Sequence, residues 1–205
     1  IDGTEINGCG PDIDAKALEQ LMEKIDRLGD GDVLVLAGSI PYTMPDDMYQ
    51  RILERIQGRG VLTVVDATRD LLVKVLPYHP FLVKPNNHEL GDIFDVKLTT
   101  REEVIPYGRK LQEMGAQNVL ISMAGEGAVL IAADGRRLQA PAPKGTLVNG
   151  VGAGDSMVAG FLTGWMEEKD YAHAFRMGIA AGSASAFSEN LATREEVMEV
   201  LKQVK

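Results

Sequence analysis

Val33-Leu34-Val35-Leu36-Ala37-Gly38-Ser39 is five uninterrupted apolar residues followed at once by a glycine turn. A run with no polar residue at every second position suits a strand of a parallel sheet, buried on both faces. Parallel strands need crossover connections, so the flanking sequence has to supply helices. On the N-terminal side Leu18, Leu21, Met22, Ile25 and Leu28 recur at helical spacing from Ala15 to Leu28, and Gly29 stops the pattern. On the C-terminal side Tyr49 to Gln57 reads as a helix and Val61 to Val65 as a second strand closing at Asp66. This alternation predicts an α/β fold around a mostly parallel sheet.

Further along, Phe81 to Val83 is a short strand that runs into Lys84-Pro85-Asn86-Asn87-His88-Glu89. The proline forbids simple continuation of a central ladder, so a ligand-facing loop is expected there. Thr100 with Glu103 has capping-box spacing for a helix running to Met114-Gly115, and Val119 to Ile121 is the next strand. Asp134-Gly135 between Ala128–Ile131 and Arg137–Ala140 predicts a hairpin. The remainder reads as a short strand ending at Val148, a glycine loop from Asn149 to Gly154, and a helix from about Asp155 to Met166. A second helix runs from Ala172 to about Phe187, and Thr193 with Glu196 opens a terminal one. In an open parallel sheet ligands bind outside the carboxyl ends of the strands. The loops after Ala37, Asp66, Val83, Ile121 and Val148 are therefore expected on one edge.

The 205 residues, 45% of them apolar, can bury a substantial core, and 22 glycines with 5% aromatics suit the tight strand-to-helix turns of an α/β chain. A net charge of −9 argues against non-specific binding to nucleic acid or to an anionic membrane. An anionic ligand has to be held locally, by helix N-termini, glycine loops, a few lysines or a metal ion. The single cysteine, Cys9, excludes an intrachain disulfide and fits a reducing cytoplasm. No apolar run is long enough to span a bilayer as a helix. The chain opens on Ile1-Asp2-Gly3, inside what reads as a strand (Thr4 to Asn7), so a missing N-terminal portion is expected.

Gly150-Val151-Gly152-Ala153-Gly154-Asp155-Ser156 places backbone N–H groups without side chains at a helix N-terminus, an arrangement that attracts anions. Such donors can stabilise charge developing on a transferred phosphoryl group, and Asp155 at the helix start can accept the proton of an attacking hydroxyl. The plainer reading is a tight turn with Asp155 as a helix cap. A dinucleotide fold is disfavoured because a second helix, not a strand, follows the first. A Walker loop is excluded because no Gly-Lys-Ser/Thr follows.

Asn149-Gly-Val-Gly-Ala-Gly-Asp-Ser-Met-Val-Ala-Gly-Phe161 resembles the C-terminal signature of the ribokinase/PfkB carbohydrate kinases. Gly38-Ser-Ile-Pro41, Lys84-Pro-Asn-Asn-His-Glu-Leu90 and Ser122-Met-Ala-Gly-Glu-Gly-Ala128 agree with it in the family's order, so the resemblance covers essentially the whole chain. It implies a ribokinase-like three-layer sandwich whose lid sheet is largely absent here, residues 1–10 being its remnant strand and 11–205 the C-terminal part of the α/β domain.

The resemblance also implies roles. Asp155 is the base, which also faces the substrate, and Gly152, Ala153 and Gly154 form the anion hole. Asn86 and Glu89 position Mg²⁺, while Lys84 and Asn86 approach the phosphates of ATP. Ser122, Gly125, Gly127, Asn149, Gly150, Val151, Gly182 and Ser185 lie along the nucleotide, and Ser39 lies near the sugar. Ser185, Ser188 and Asn190 match positions near a monovalent-cation site in some relatives. Two positions depart from the family pattern: Ala124 stands where glycine is usual, and Gly150 where serine or threonine is common.

The implied reaction is ATP-dependent phosphoryl transfer to a ketohexose phosphate, with fructose 1-phosphate favoured over tagatose 6-phosphate and fructose 6-phosphate. The resemblance further implies roughly 100 more N-terminal residues, about a small domain's worth, and a homodimer formed through the lid. The rival readings are a non-catalytic nucleotide- or sugar-phosphate-binding protein, an NAD-dependent oxidoreductase and a purely structural protein. The last would leave Lys84, Asn86, Glu89 and Asp155 without a shared purpose.

Overall fold

The computed structural model describes residues 12–205, and the lid strand expected over 1–10 lies outside them. The sheet takes its strands in the order the chain supplies them: β1 (Val33–Ala37), β2 (Leu62–Asp66), β3 (Leu82–Val83), β4 (Asn118–Ser122), β5 (Ala128–Ile131) and β6 (Arg137–Ala140). β1 to β4 are parallel, and β5 and β6 return as an antiparallel hairpin. The register sets Ala37 beside Asp66 and Val65 beside Val83, which brings the carboxyl ends of neighbouring strands level.

Alternation along the strands divides the core in two. Val65, Val83, Val119, Ile121 and Val129 face one layer, which packs against α1 (Ala15–Ile25), α2 (Met48–Ile56), α3 (Arg69–Val75), α4 (Asn87–Phe94) and α5 (Arg101–Glu113). Val64, Leu82, Leu120 and Leu130 face the other, which packs against α6 (Ala153–Glu168), α7 (Tyr171–Ala186) and α8 (Arg194–Leu201). The result is the expected three-layer α/β/α sandwich. Leu82 and Leu120 have no exposed surface at all, and truncating either to alanine is expected to cost about 2–5 kcal/mol. α6 and α7 approach closely because glycines line their seam. A Cβ at Gly160 would lie 2.5 Å from the Met177 carbonyl oxygen, and one at Gly182 3.0 Å from that of Ala153.

Several local expectations hold in detail. Thr100 with Glu103 and Thr193 with Glu196 form complete capping boxes, and the hairpin turns at Asp134-Gly135. Others need correction. β1 is parallel but is not buried on both faces: it is the last strand of the described sheet, and Val35 is 42% exposed. No strand forms at Val148, because the amides of Val148 and Asn149 both donate to the Ala186 carbonyl at the end of α7. The connection after β3 is confined to Lys84-Pro85, since Asn86 already caps α4 and Asn87 to Glu89 lie in its first turn. Helix α3, whose Leu72 and Val75 are fully buried, was not anticipated, since a short apolar run has no decisive period.

Candidate active site

The carboxyl ends of β1 to β4 are tied into one edge by backbone bonds. The Gly38 amide donates to the Asp66 carbonyl at 2.9 Å, Lys84 N–H to Val65 at 3.2 Å, and Ser122 N–H to Pro85 at 3.2 Å. Asn86, beyond the end of β3, and Ser122, the last residue of β4, form a single parallel bridge. The buried hydroxyl of Tyr49 donates to the Ala37 carbonyl at 2.8 Å and steadies the turn that carries the exposed Ser39.

The N-terminus of α6 arrives at this edge from the opposite layer. Gly152 is its N-cap, with φ +78° and no side-chain cap. Only glycine takes this conformation without strain, and a Cβ there would also meet the Leu191 side chain at 2.7 Å. The first i to i−4 bond of the helix is Ser156 N–H to Gly152. Gly154 and Asp155 thus lie in the first turn, where amides have no intrahelical acceptor and the positive end of the helix dipole is concentrated. The helix starts two residues earlier than expected. This moves Asp155 to the third helical position, and the cap is Gly152, so Asp155 is not the helix's capping residue.

Lys84 connects the two layers. Its side chain is 6% exposed and its ammonium lies 3.1 Å from the Asp66 carboxylate, which is 17% exposed. A Cβ built on Gly154 would stand 3.2 Å from the same nitrogen, so the ammonium sits directly beside the first turn of α6. Burial pushes the Asp66 carboxyl above the usual aspartate range; Lys84 opposes this, while the charges of Glu89 and Asp155 add to it. Asp66, Glu89 and Asp155 therefore share one electrostatic neighbourhood with one buried cation. Sequence reasoning passed over Asp66, reading it only as a strand end. The available signal was an acid terminating an apolar strand on the ligand edge.

Asn86 and Glu89 form a capping box on α4. The Asn86 side-chain oxygen accepts from the amides of His88 and Glu89, and one Glu89 oxygen accepts from the Asn86 amide at 2.8 Å. The glycine loop is clamped by the segment after α7. Asn149 donates to the Glu189 carbonyl at 3.2 Å and accepts from Val151 N–H at 3.0 Å. The buried Ser185 hydroxyl donates to Ser156 at 2.8 Å and accepts from the Ala192 amide at 3.1 Å. Val151 is 76% exposed on the outer side of the loop, with Leu147, Val148 and Leu191 also exposed nearby in sequence or contact.

The remaining predicted residues divide by environment. Gly150 has open space around it and an ordinary φ, so a serine would fit there. Gly125 lies in an exposed turn, where Ala124 takes φ +45°, a conformation that suits the family's glycine better than alanine. Gly127, at φ +94°, packs so that a Cβ would lie 2.0 Å from the Ala140 carbonyl oxygen, and Gly182 packs on Ala153. Packing alone accounts for these last two.

A sandwich that aims an open helix N-terminus and a buried lysine at the ligand edge, with a carboxylate in the first turn, has the parts that phosphoryl transfer to a hydroxyl requires. The chain belongs to the pfkB family of carbohydrate kinases, whose family model matches residues 2–197. It is 47% identical over 204 residues to 1-phosphofructokinase of Bacillus subtilis, covering 100% of this chain and 67% of the relative. It is 35% identical over 196 residues to D-tagatose-1-phosphate kinase of Bacillus licheniformis, covering 95% and 64%. The structure of Escherichia coli phosphofructokinase-2 in complex with substrates and products superposes with a TM-score of 0.85 at 26% identity, covering 92% of this chain and 62% of that one. The chain spans about two thirds of the length of these relatives.

Proposed function

We propose that this protein transfers the terminal phosphoryl group of ATP to a hydroxyl of a ketohexose phosphate, with fructose 1-phosphate as the preferred acceptor and fructose 1,6-bisphosphate as product. The observation that carries the reading is the placement of the Lys84 ammonium against Gly154, in the first turn of α6, which no side chain caps, one residue before Asp155. The acceptor hydroxyl loses its proton to the Asp155 carboxylate as its oxygen bonds to the phosphorus, and the bond to the leaving oxygen of ADP breaks. Charge on the equatorial oxygens is met by the first-turn amides and the Lys84 ammonium, both set before the reaction and shielded from water on the protein side.

Lys84 pairs with Asp66, and the charges of Glu89 and Asp155 act on the same Asp66 carboxyl, an excess of negative charge that suits a divalent cation. Among the described residues no three acidic, histidine or cysteine side chains converge to hold a metal alone. Mg²⁺ keeps waters and takes one or two carboxylates plus phosphates. Glu89, through the oxygen not used in its capping box, and Asn86 would hold it, and when bound it supplies neutralising charge to the phosphates. A monovalent cation near Ser185, Ser188 and Asn190 belongs to the same proposal. Its support is that E. coli phosphofructokinase-2 has been solved in complex with potassium.

The exposed Val151 and Leu191 provide an apolar wall for the nucleotide base. A cytoplasmic location, where ATP is available, and a homodimer formed through a lid complete the proposal. E. coli phosphofructokinase-2 has been solved in a tetrameric inhibited form. No helix among the described residues is long and apolar enough to cross a membrane.

Identity to tagatose-1-phosphate kinases gives a second acceptor a specific claim. ADP formation measured with fructose 1-phosphate, tagatose 1-phosphate, fructose 6-phosphate and tagatose 6-phosphate, in the parent and in Asp155→Ala, tests both. Turnover of fructose 1-phosphate at the highest kcat/KM, lost by about 10²–10⁴-fold in the variant, is expected. Parental turnover by Asp155→Ala would remove the base from the mechanism, and no turnover of any of the four would remove the reaction.

A further inference from the structure

We propose that Asp66 is a positioning residue: it holds the Lys84 ammonium beside Gly154, so that the cation already faces the N-terminus of α6 before a phosphate arrives. The inference rests on the phosphoryl-transfer reading above. Lysine carries a compact, strongly hydrated charge on a flexible stem, and its ordinary course is to extend that charge to water. Here the side chain is 6% exposed, and the ammonium is 3.1 Å from Asp66 and 3.2 Å from the position a Cβ would take on Gly154.

A buried ion pair is a poor stabiliser, since desolvating both charges offsets most of their attraction. What it provides is a fixed direction. Both partners are anchored on adjacent strand ends: the Asp66 carbonyl accepts from Gly38 N–H at 2.9 Å, and Lys84 N–H donates to Val65 at 3.2 Å. The Asp66 carboxyl is itself held in unfavourable surroundings, with burial and the charges of Glu89 and Asp155 acting against its ionised form. Lys84 is the group that opposes them. An acid kept in that setting suits a role through the lysine it orients better than a role in folding.

A double-mutant cycle decides the matter: Asp66→Asn, Lys84→Met and the double variant, in the protein as its gene encodes it. The readouts are the dissociation constant of Mg-ATP by calorimetry, kcat at saturating substrates, and melting temperature. If Asp66 acts through Lys84, Lys84→Met and the double variant agree within about twofold, both roughly 10–100-fold worse than the parent, and Asp66→Asn loses about tenfold. A double variant worse than Lys84→Met by a further tenfold means that Asp66 acts independently and overturns the proposal. So does an Asp66→Asn variant that melts earlier but keeps parental binding and kcat per folded molecule.

Should Asp66→Asn fail to fold, the comparison of Lys84→Met with the double variant, in which neither charge remains, still decides. If the parent phosphorylates no ketohexose phosphate while the Mg-ATP cycle is non-additive, the reaction assigned above fails and the positioning role stands. A parent that does not bind Mg-ATP overturns both.

Discussion

Gly154→Ala isolates the geometry of the anion site from the stability of the fold. The added methyl would stand 3.2 Å from the Lys84 nitrogen and 3.7 Å from its neighbouring carbon, closer than relaxed contact for the first. Lys84 is buried and bound to Asp66 at 3.1 Å, so it can yield only by lengthening that pair. A ~0.4 Å retreat costs roughly 0.6 kcal/mol at an effective dielectric of about 20. Alanine in place of glycine returns up to about 1 kcal/mol of helix propensity, less in a first turn. The two nearly cancel, so the urea midpoint should correspond to a change within about 1 kcal/mol of the parent. Catalysis is not compensated. The methyl wedges between the first-turn amides and the ammonium; a misplacement of about 1 Å can cost about 10²-fold, so a ~0.4 Å retreat should cost roughly 5–10-fold. Coupled ADP detection beside urea unfolding separates the two readouts. A folded Gly154→Ala variant with parental kcat/KM would refute the convergence of Lys84 and α6 on one phosphoryl group.

Gly127→Ala should lose about 3–5 kcal/mol in urea unfolding, because its left-handed backbone and a Cβ 2.0 Å from the Ala140 carbonyl oxygen leave no room to relax. Gly150→Ser should change stability by no more than about 0.5 kcal/mol and keep parental kcat, since the position is open and its φ ordinary. The pH dependence of stability should carry a signature of Asp66. Its folded pKa is raised, so below that value the folded chain holds a proton that the unfolded chain lacks. Its contribution to unfolding free energy therefore grows as pH falls. As pH falls from neutrality through the raised folded pKa toward the ordinary aspartate range, the parent should gain stability relative to Asp66→Asn, read as the difference in urea midpoints, and a constant or reversed difference would count against the burial argument.

Much of the fold and part of the site were legible in the residue order because the interactions responsible are short in sequence. A threonine three residues before a glutamate closes its own hydrogen bonds at Thr100 and Thr193, and Asp134-Gly135 reverses the chain within the hairpin it joins. The string from Asn149 to Phe161 likewise marks a glycine turn entering a helix, and the family resemblance rests on such local strings. The start of α6 at Ala153 was less legible, since its Gly152 cap uses backbone conformation and no side chain.

Tertiary structure alone decided what depends on register between distant segments. β1 reads as doubly buried but sits at the end of the described sheet, where no periodicity can announce a missing neighbour. Val148 reads as a strand, yet the end of α7 captures its amide. Asp66 and Lys84 meet because β2 and β3 are parallel and aligned at Val65 and Val83, and Lys84 also meets Gly154 because α6 crosses from the opposite layer. Residue order determined which groups could carry chemistry. Burial and strand register, which are properties of the packed chain, determined which of them share one low-dielectric edge and so act on each other.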